Sequence, residues 1–329
     1  MKTRIIKIIK KANIRGGVGI IIATLALSFI FDGGYRVWAD NLLNSVTVSN
    51  VAPTVSGVSL NAAANITLTE DTTTSVNVIA TLTDTNGGAD ISSATATIYR
   101  SSVSGVANCT ADDNQCYQVA SGSCTLGSAS GNDKPATCTA GIWFVADATD
   151  SAAPTFAADI WSAGVGATDA AGLKGFATNS AQSIEVNSLT ALNVSASIAY
   201  GSLAPTSTSA SSQTATVTTT GNRMIDVQFQ AVNDMCDTTN CVGGNEITAD
   251  RQQFATGSNI AWSDPVLLGA TKLASTSAQT LNLTTTKPTT HVGNTSDTAQ
   301  DTFWRIGIPS GQALSTYNGT TTATAVNGA

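Results

Sequence analysis

The chain has 329 residues, of which 11% are charged and 5% are aromatic, and its formal net charge is −7. Residues 1–39 contain seven of the 15 Lys and Arg residues but only one of the 22 acidic residues. The remainder has 8 basic and 21 acidic residues, a net charge of −13, which excludes the basic surface stripes that nucleic-acid binding requires. Ser and Thr make up about a quarter of the chain, which is typical of exposed β-strands and not of helices.

Residues 1–39 form a candidate export leader. An apolar run, Val18–Phe31, follows a basic start. As a helix, the run would span roughly 21 Å, less than the ~30 Å hydrocarbon core of a membrane. Val37 and Ala39 fit the small-residue pattern of a signal-peptidase site. We therefore predict cleavage between Ala39 and Asp40. Two alternatives stay open, an uncleaved membrane anchor and a pilin-type leader cut at RGG. All three place the bulk of the chain outside the cytoplasm, with membrane contact only through this segment.

Apolar and polar residues alternate with a period of two in several segments after the leader. This alternation predicts half-buried strands of antiparallel sheets. Turn sequences such as TNGG, GNDKP and TTGNR separate the segments, and no amphipathic helix is recognisable. The pattern predicts an all-β fold built from β-sandwiches. The clearest alternating segments are 74–84, 93–100, 159–169, 192–200 and 223–231.

Two domains are expected after the leader. The strand-like sequence QSIEVN closes the first, so we place the domains at 45–187 and 188–329. The first has a loop-rich insertion, Ser101–Thr139, and the second has a polar connection at 202–213.

An even number of cysteines in an exported chain predicts disulfides. Nearest-neighbour pairing joins Cys109 to Cys116, Cys124 to Cys138, and Cys236 to Cys241. The last pair is isolated, whereas the first four cysteines allow three connectivities. A zinc site is the alternative, but the spacings differ from zinc knuckles and the chain has one histidine.

The turn DTNGGAD is a candidate calcium site, and calcium is the one candidate cofactor. Asp84, Asn86 and Asp90 offer hard oxygen ligands close together, while Asp169 is expected at the other end of the same sandwich. Calcium takes about six to eight oxygen ligands, which one turn cannot supply. A turn without an ion is the alternative, because Asp and Asn favour turns for their own backbone hydrogen bonds.

Catalytic patterns are not recognisable. His291 lies in a polar stretch without a nucleophile motif, which predicts a solvated loop residue. Three pairs of carboxylates lie in polar, turn-like stretches and are interpreted as solvated turns: Glu70–Asp71, Asp112–Asp113 and Asp147–Asp150. We therefore expect no enzyme activity.

The tryptophans adjoin apolar alternations, which predicts packing between sheets. Those expected in the core are Trp143, Trp161 and Trp304, while Trp262 is the candidate for an exposed binding residue.

Two stretches of the first domain resemble the immunoglobulin-like modules of prokaryotic surface proteins. Asn50, Pro53 and Val55 match the start of such modules, and DIWSAGVGATDAAGLKG matches their closing part. The second domain resembles the WxL-like surface domains of bacteria and related S-layer-associated proteins, through IAYGSLAPTSTSASSQTATVTTTGNRMIDVQFQA and WRIGIPSGQALSTYNGTTTATAV. The tryptophan–any–leucine signatures themselves are absent, and WRI at Trp304 comes nearest. The resemblance implies two immunoglobulin-like sandwiches and a place at the cell wall.

These observations predict an exported, non-catalytic structural or adhesive protein of the cell surface or envelope. Its expected partners are copies of itself or other surface proteins, with cell wall or carbohydrate as further candidates. The alternatives are a secreted module that binds a carbohydrate or peptide, and a pilus-like filament subunit. The binding-module alternative predicts an exposed aromatic cluster drawn from Trp143, Trp262, Phe254 and Tyr317.

Overall fold

The computed structural model describes residues 44–104, 108–153, 155–179, 182–195, 197–238, 241–258, 271–292 and 298–328. The predicted leader and its cleavage site at Ala39 and Asp40 lie outside these residues. Within them, no helix is long and apolar enough to cross a membrane.

The described residues form β-strands joined by turns and short 3-10 turns, which confirms an all-β fold. The strands of the first half are β1 (Thr54–Leu60), β2 (Thr73–Thr83), β3 (Ile91–Arg100), β4 (Cys116–Val119), β5 (Cys124–Leu126), β6 (Asp133–Trp143), β7 (Trp161–Asp169) and β8 (Lys174–Thr178). Those of the second half are β9 (Leu192–Val194), β10 (Gln213–Thr219), β11 (Ile225–Ala231), β12 (Met235–Cys236), β13 (Glu246–Ile247), β14 (Gln252–Ala255), β15 (Thr271–Lys272), β16 (Gln279–Thr285), β17 (Ala299–Ile306) and β18 (Thr321–Asn327). The described 3-10 turns are Asn61–Ala63, Gly88–Asp90, Ser121–Ser123 and Ala249–Arg251.

Two four-stranded antiparallel sheets enclose the core of the first half, and we call this part the first sandwich. Their strand orders are β1-β2-β6-β5 and β4-β3-β7-β8. Strand β2 turns Val76, Val78, Ala80 and Leu82 inward and its polar residues outward, because successive side chains of a strand point to opposite faces. The indole of Trp161 is fully buried in this core.

The second half has its own core and is called the second sandwich. A five-stranded sheet, β15-β14-β17-β10-β9, and a three-stranded sheet, β16-β11-β18, supply the core residues. Phe229 meets Phe254 and Trp304 edge-on, with ring centroids 5.1 and 4.9 Å apart. Such edge-to-face contacts place the positive ring edge against the negative ring face.

No ladder among the described strands joins the first sandwich to the second, yet Asn50–Ala329 forms one compact unit. The domain limits at 45–187 and 188–329 therefore stay a prediction. QSIEVN, expected to be a strand, makes only isolated bridges, from Ile184 to Trp161 and from Val186 to Ile66.

The predicted loop-rich insertion, Ser101–Thr139, is wrong at its C-terminal end. Residues 133–139 belong to β6, which pairs with β2 along its whole length. The inward positions opposite Val78 and Ala80 are filled by Cys138 and Ala136. These side chains are small, so the segment lacks the large apolar residues by which sequence patterns reveal strands.

The predicted disulfides are present as the nearest-neighbour pairs, Cys109–Cys116, Cys124–Cys138 and Cys236–Cys241. Cys124 and Cys138 lie directly opposite each other on β5 and β6. The other two pairs close short loops, of 7 and 5 residues in sequence separation.

Two substitutions on β2 test the inward face. Leu82 is fully buried and Ile79 is 44% exposed. We expect Leu82→Ala to lower the free energy of unfolding by about 2–5 kcal/mol, because it leaves a cavity in the core. Ile79→Ala, the matched control, should cost about 1 kcal/mol or less. Urea unfolding measures both, and equal losses would contradict this assignment of faces.

Candidate metal centre

Three aspartates meet at one end of the first sandwich. One carboxylate oxygen from each of Asp84, Asp90 and Asp169 lies within 4.8 Å of the other two. Asp84 directly follows β2, Asp90 directly precedes β3, and Asp169 is the last residue of β7. Strands β3 and β7 are paired, and Ile91 is opposite Asp169. This register brings together carboxylates that are 79 positions apart in the chain.

The TNGG turn fixes the position of the first two carboxylates. Asp84 Oδ1 accepts the Asn86 backbone N–H at 2.8 Å, and the Asp84 carbonyl accepts the Gly87 N–H at 3.0 Å. Gly87 has a φ of +119°, which disfavours residues with a side chain. A Cβ on Gly88 would lie 2.6 Å from the Asp133 carbonyl oxygen. Glycines therefore permit this turn to pack tightly against the start of β6.

Two of the three carboxylates are buried. Asp84 is fully buried, and its Oδ2 atom has no hydrogen-bond partner. Asp169 is 2% exposed, and it accepts hydrogen bonds from Asn50 Nδ2 at 2.7 Å and from the Leu173 N–H at 2.8 Å. Desolvation raises the pKa of Asp169, but these hydrogen bonds together outweigh it, so the pKa lies below the ordinary value. Asp90 is half-buried, which leaves the cluster open to solvent on one side.

The structure changes the ligand set predicted from the sequence. It brings Asp84 and Asp90 together, whereas Asn86 Oδ1 accepts the Val51 N–H at 2.9 Å. Asn86 therefore holds the start of the sandwich against the turn. The expectation that Asp169 lies at the other end of the sandwich is wrong, because the β3–β7 register carries it to Asp90. Asn50, which had been noted only as part of the module start, also reaches the cluster.

A second charged cluster lies where the two sandwiches meet. Asp147 is 5% exposed, and its carboxylate contacts Arg100 Nε at 3.1 Å and the Lys287 ammonium group. Arg100 also binds Asp159, and its guanidinium lies 3.8 Å from the centroid of the Phe156 ring. Lys287 belongs to the second half of the chain and the other four residues to the first. The Lys287–Asp147 ion pair therefore joins the two sandwiches.

Neutral contacts extend this meeting surface, which we call the junction. Asn222 Nδ2 donates to the carbonyls of Ala146 and Asn187 at 3.0 and 3.1 Å, and Asn222 Oδ1 accepts the Leu189 N–H at 2.7 Å. The amide of Asn222 is therefore fully engaged. Its contacts connect the second sandwich to the last residues of the first.

His291 belongs to the junction, and its prediction as a freely solvated loop residue is wrong. Its ring stacks on the indole of Trp143, with centroids 3.7 Å apart and planes at 5°. Asp113 Oδ2 lies 2.7 Å from His291 Nδ1 and also accepts the His291 backbone N–H at 3.0 Å. No pattern in the sequence signals these contacts, because Trp143 and Asp113 are more than 140 positions away from His291.

The other candidate carboxylates are also engaged in local structure. Asp112 Oδ1 accepts the N–H groups of Asn114 and Gln115 at 2.8 and 2.6 Å. Asp150 accepts hydrogen bonds from the backbone and hydroxyl of Ser188. Asp147 is held in ion pairs, so the interpretation of this pair as a solvated turn is wrong. These hydrogen bonds and ion pairs give Asp112, Asp147 and Asp150 a role in holding the fold together.

The aromatic residues expected in an exposed cluster do not form one within the described part of the chain. Phe254 is fully buried in the second core, and Trp143 is half-buried at the junction. The Tyr317 hydroxyl donates to the Ala313 carbonyl at 2.8 Å. Trp262 lies outside the described residues. Trp161 and Trp304 are buried, which confirms that both pack in the cores.

Comparison with known proteins gives no family. No protein-family model and no curated protein matches the chain. Among solved structures, dimeric latent PorU from Porphyromonas gingivalis aligns with 82% of this chain at 13% identity and a TM-score of 0.24. The alignment spans only 20% of that chain, and a likeness this weak carries no argument about fold or function.

An Asp159→Asn variant tests the ion network in acid. Desolvation raises the pKa of Asp159, but hydrogen bonds from Ser102 and Arg100 outweigh it, so the pKa lies below the usual value. A carboxyl with a depressed pKa stabilises the fold above its unfolded-state pKa, and this contribution is lost as the pH falls through the folded-state pKa.

We therefore expect Asp159→Asn to be less stable than wild type at pH 7 by about 1 kcal/mol or less. The difference should shrink as the pH falls below about 4, the ordinary range for Asp. Urea unfolding as a function of pH measures it. Asp301→Asn, on the exposed side of β17, is the matched control. A difference that persisted unchanged in acid would contradict the role of the charge.

Proposed function

We propose that this chain is an exported, non-catalytic structural or adhesive protein of the cell surface or envelope. In this proposal, the first sandwich is an immunoglobulin-like module and the second is a WxL-like or S-layer-associated domain. The observation that carries the proposal is the junction. Two cores with separate sheets are joined by the ion pair of Lys287 with the buried carboxylate of Asp147 and by the amide of Asn222, an arrangement suited to transmitting load between modules.

The junction resists relative movement of the sandwiches for an electrostatic reason. Separating them would remove Lys287 from Asp147 and leave a buried carboxylate with one cation fewer. A buried charge that loses a partner is strongly unfavourable. The His291 ring would also lose its stacking on Trp143 and its contact with Asp113. A flexible tether between independent binding domains would not need these contacts.

The three disulfides support an extracellular location, since disulfides persist in oxidising compartments. They also hold loops at several points of the chain: the loop before β4, the β5–β6 pair and the loop after β12. The acidic composition after residue 39 favours a soluble, hydrated surface.

The exposed edges of the sheets offer a route to assembly. Strand β18 lies at the edge of the three-stranded sheet and has no buried residue. An edge strand presents unpaired backbone groups that a strand from another chain can extend. In the proposal, this partner is a second copy or another surface protein. A neighbouring cell wall or carbohydrate is a further candidate for an adhesive role.

Assembly is tested with the exported chain purified under oxidising conditions. We expect light scattering to show particles larger than a monomer, growing with protein concentration, because edge strands pair intermolecularly. Addition of a reductant is the control, because it breaks the disulfides that close the loops and leaves the amino-acid sequence unchanged. A monomer at every concentration would contradict self-assembly and would leave adhesion to a different molecule as the role.

A Lys287→Met variant tests whether the junction couples the sandwiches. It removes one of the two cations that contact Asp147. We expect the free energy of unfolding to fall by about 1–3 kcal/mol, the cost of losing a hydrogen bond to a charged group. We also expect the single unfolding transition to separate into two as the sandwiches uncouple.

Differential scanning calorimetry measures both effects. Lys174→Met is the matched control, because Lys174 is exposed on β8, opposite Thr168 of β7, and makes none of the junction contacts described above. A Lys287→Met variant with wild-type stability and one transition would contradict the role of this ion pair in coupling the two sandwiches.

A further inference from the structure

We propose that Asp84, Asp90 and Asp169 bind one Ca²⁺ ion, which fastens the start of the first sandwich to the ends of β2 and β7. The proposal goes beyond the structural role above and does not depend on self-assembly. It is based on three observations: the geometry of the carboxylates, an unpartnered buried oxygen, and the hydrogen bonds that link the cluster to Asn50 and Val51.

The first argument is electrostatic. Three carboxylate oxygens lie within 4.8 Å of one another, and like charges at this distance repel strongly when water is partly excluded. None of the three carboxylates forms a salt bridge with a described Lys, Arg or His residue. The ammonium group of Lys134 instead donates to the carbonyl of Ile91, the residue after Asp90, at 2.8 Å. A divalent cation would neutralise most of the charge of the cluster.

The second argument concerns one atom. Asp84 is fully buried, and its Oδ2 has no hydrogen-bond donor, while its Oδ1 is satisfied by Asn86. A buried polar atom without a partner is costly, and a buried carboxylate oxygen especially so. This oxygen belongs to the cluster residue that is most deeply buried. A metal ion bound there would be the missing partner.

The chemistry of the donors favours calcium over other cations. The ligands are hard oxygens, and no described Cys or His belongs to the cluster, which disfavours zinc. Carboxylates bind calcium through one or both oxygens, and the solvent-facing side at Asp90 admits water ligands. Together these groups supply the irregular coordination that calcium accepts and magnesium does not.

Binding would act on the start of the sandwich. Asn50 contacts Asp169, and the Val51 N–H donates to Asn86 in the same turn as Asp84. An ion that bridges Asp84 to Asp169 would therefore restrain Asn50 through its contact with Asp169, and Val51 through its contact with the turn that contains Asp84. The ion would therefore fix the backbone of Asn50 and Val51 against the end of the first sandwich.

The experiment is calorimetric titration of CaCl₂ into the exported full chain after treatment with a chelator. We expect one ion per chain with a dissociation constant of roughly 10⁻⁴–10⁻³ M, the range of extracellular modules. Calcium at about 100 times the dissociation constant should raise the unfolding temperature by roughly 5 °C. Hydrogen exchange of the Val51 amide should slow in calcium.

An Asp84→Asn variant separates binding from folding. It keeps the acceptor for the Asn86 N–H but removes one charge, so we expect at least a tenfold weaker affinity. In chelator its unfolding temperature should equal or exceed that of wild type, because repulsion within the cluster is relieved. Asp301→Asn, with the same change of charge on exposed β17, should bind calcium as wild type does.

Three results would overturn the proposal. The first is the absence of binding heat and of a temperature shift in calcium up to about 100 mM, roughly 100 times the weakest expected dissociation constant. The second is equal affinity for magnesium and calcium. The third is unchanged calcium binding by Asp84→Asn, which would place the ion elsewhere. Light scattering on the same samples records assembly separately, so failure of the calcium site and failure of self-assembly are distinguishable.

Discussion

The pairing of β2 with β6 is the constraint on which the rest of the first sandwich depends. The ladder runs from Thr73 opposite Trp143 to Thr83 opposite Asp133 without a register shift. A slip of one residue would turn every inward side chain of β2 to solvent. The same register ends β2 immediately before Asp84 and brings Asp133 against Gly88. The core and the glycine turn therefore depend on this pairing, and the β3–β7 register then brings Asp169 to the carboxylate cluster.

Charge is used differently at the two ends of the first sandwich. At the junction, the buried carboxylate of Asp147 has two cations, Arg100 from its own sandwich and Lys287 from the other, and the Lys287 contact connects the two cores. At the other end of the first sandwich, Asp84, Asp90 and Asp169 meet without a basic partner among the described residues. The first arrangement is complete within the chain and fits a structural role. In the proposal made above, a cation completes the second arrangement, which would make the stability of the sandwich depend on the concentration of that cation around the protein.

Local sequence patterns predicted the parts of the fold that depend on neighbours in the chain. The alternation in β2 and β3 and the glycines of the TNGG turn correspond to strands and a turn in the structure. The disulfides join cysteines that are close in sequence, so their spacing was informative. Strand β6 was missed because small residues occupy its inward positions, opposite the larger residues of β2. Periodicity depends on side-chain size as well as on polarity.

Long-range contacts needed the tertiary structure. The sequence determined an all-β chain with an even set of cysteines, an acidic body and a turn rich in oxygen ligands, because these properties reside in composition and in residues a few positions apart. Only the tertiary structure placed Asp169 beside Asp90, stacked His291 on Trp143 and joined Lys287 to Asp147. Each of these contacts depends on strand register or on the packing of one sandwich against the other. Neither strand register nor packing between sandwiches leaves a periodic signal in a single sequence, because the partners are separated by about 80 to 150 positions whose side chains are selected for other contacts.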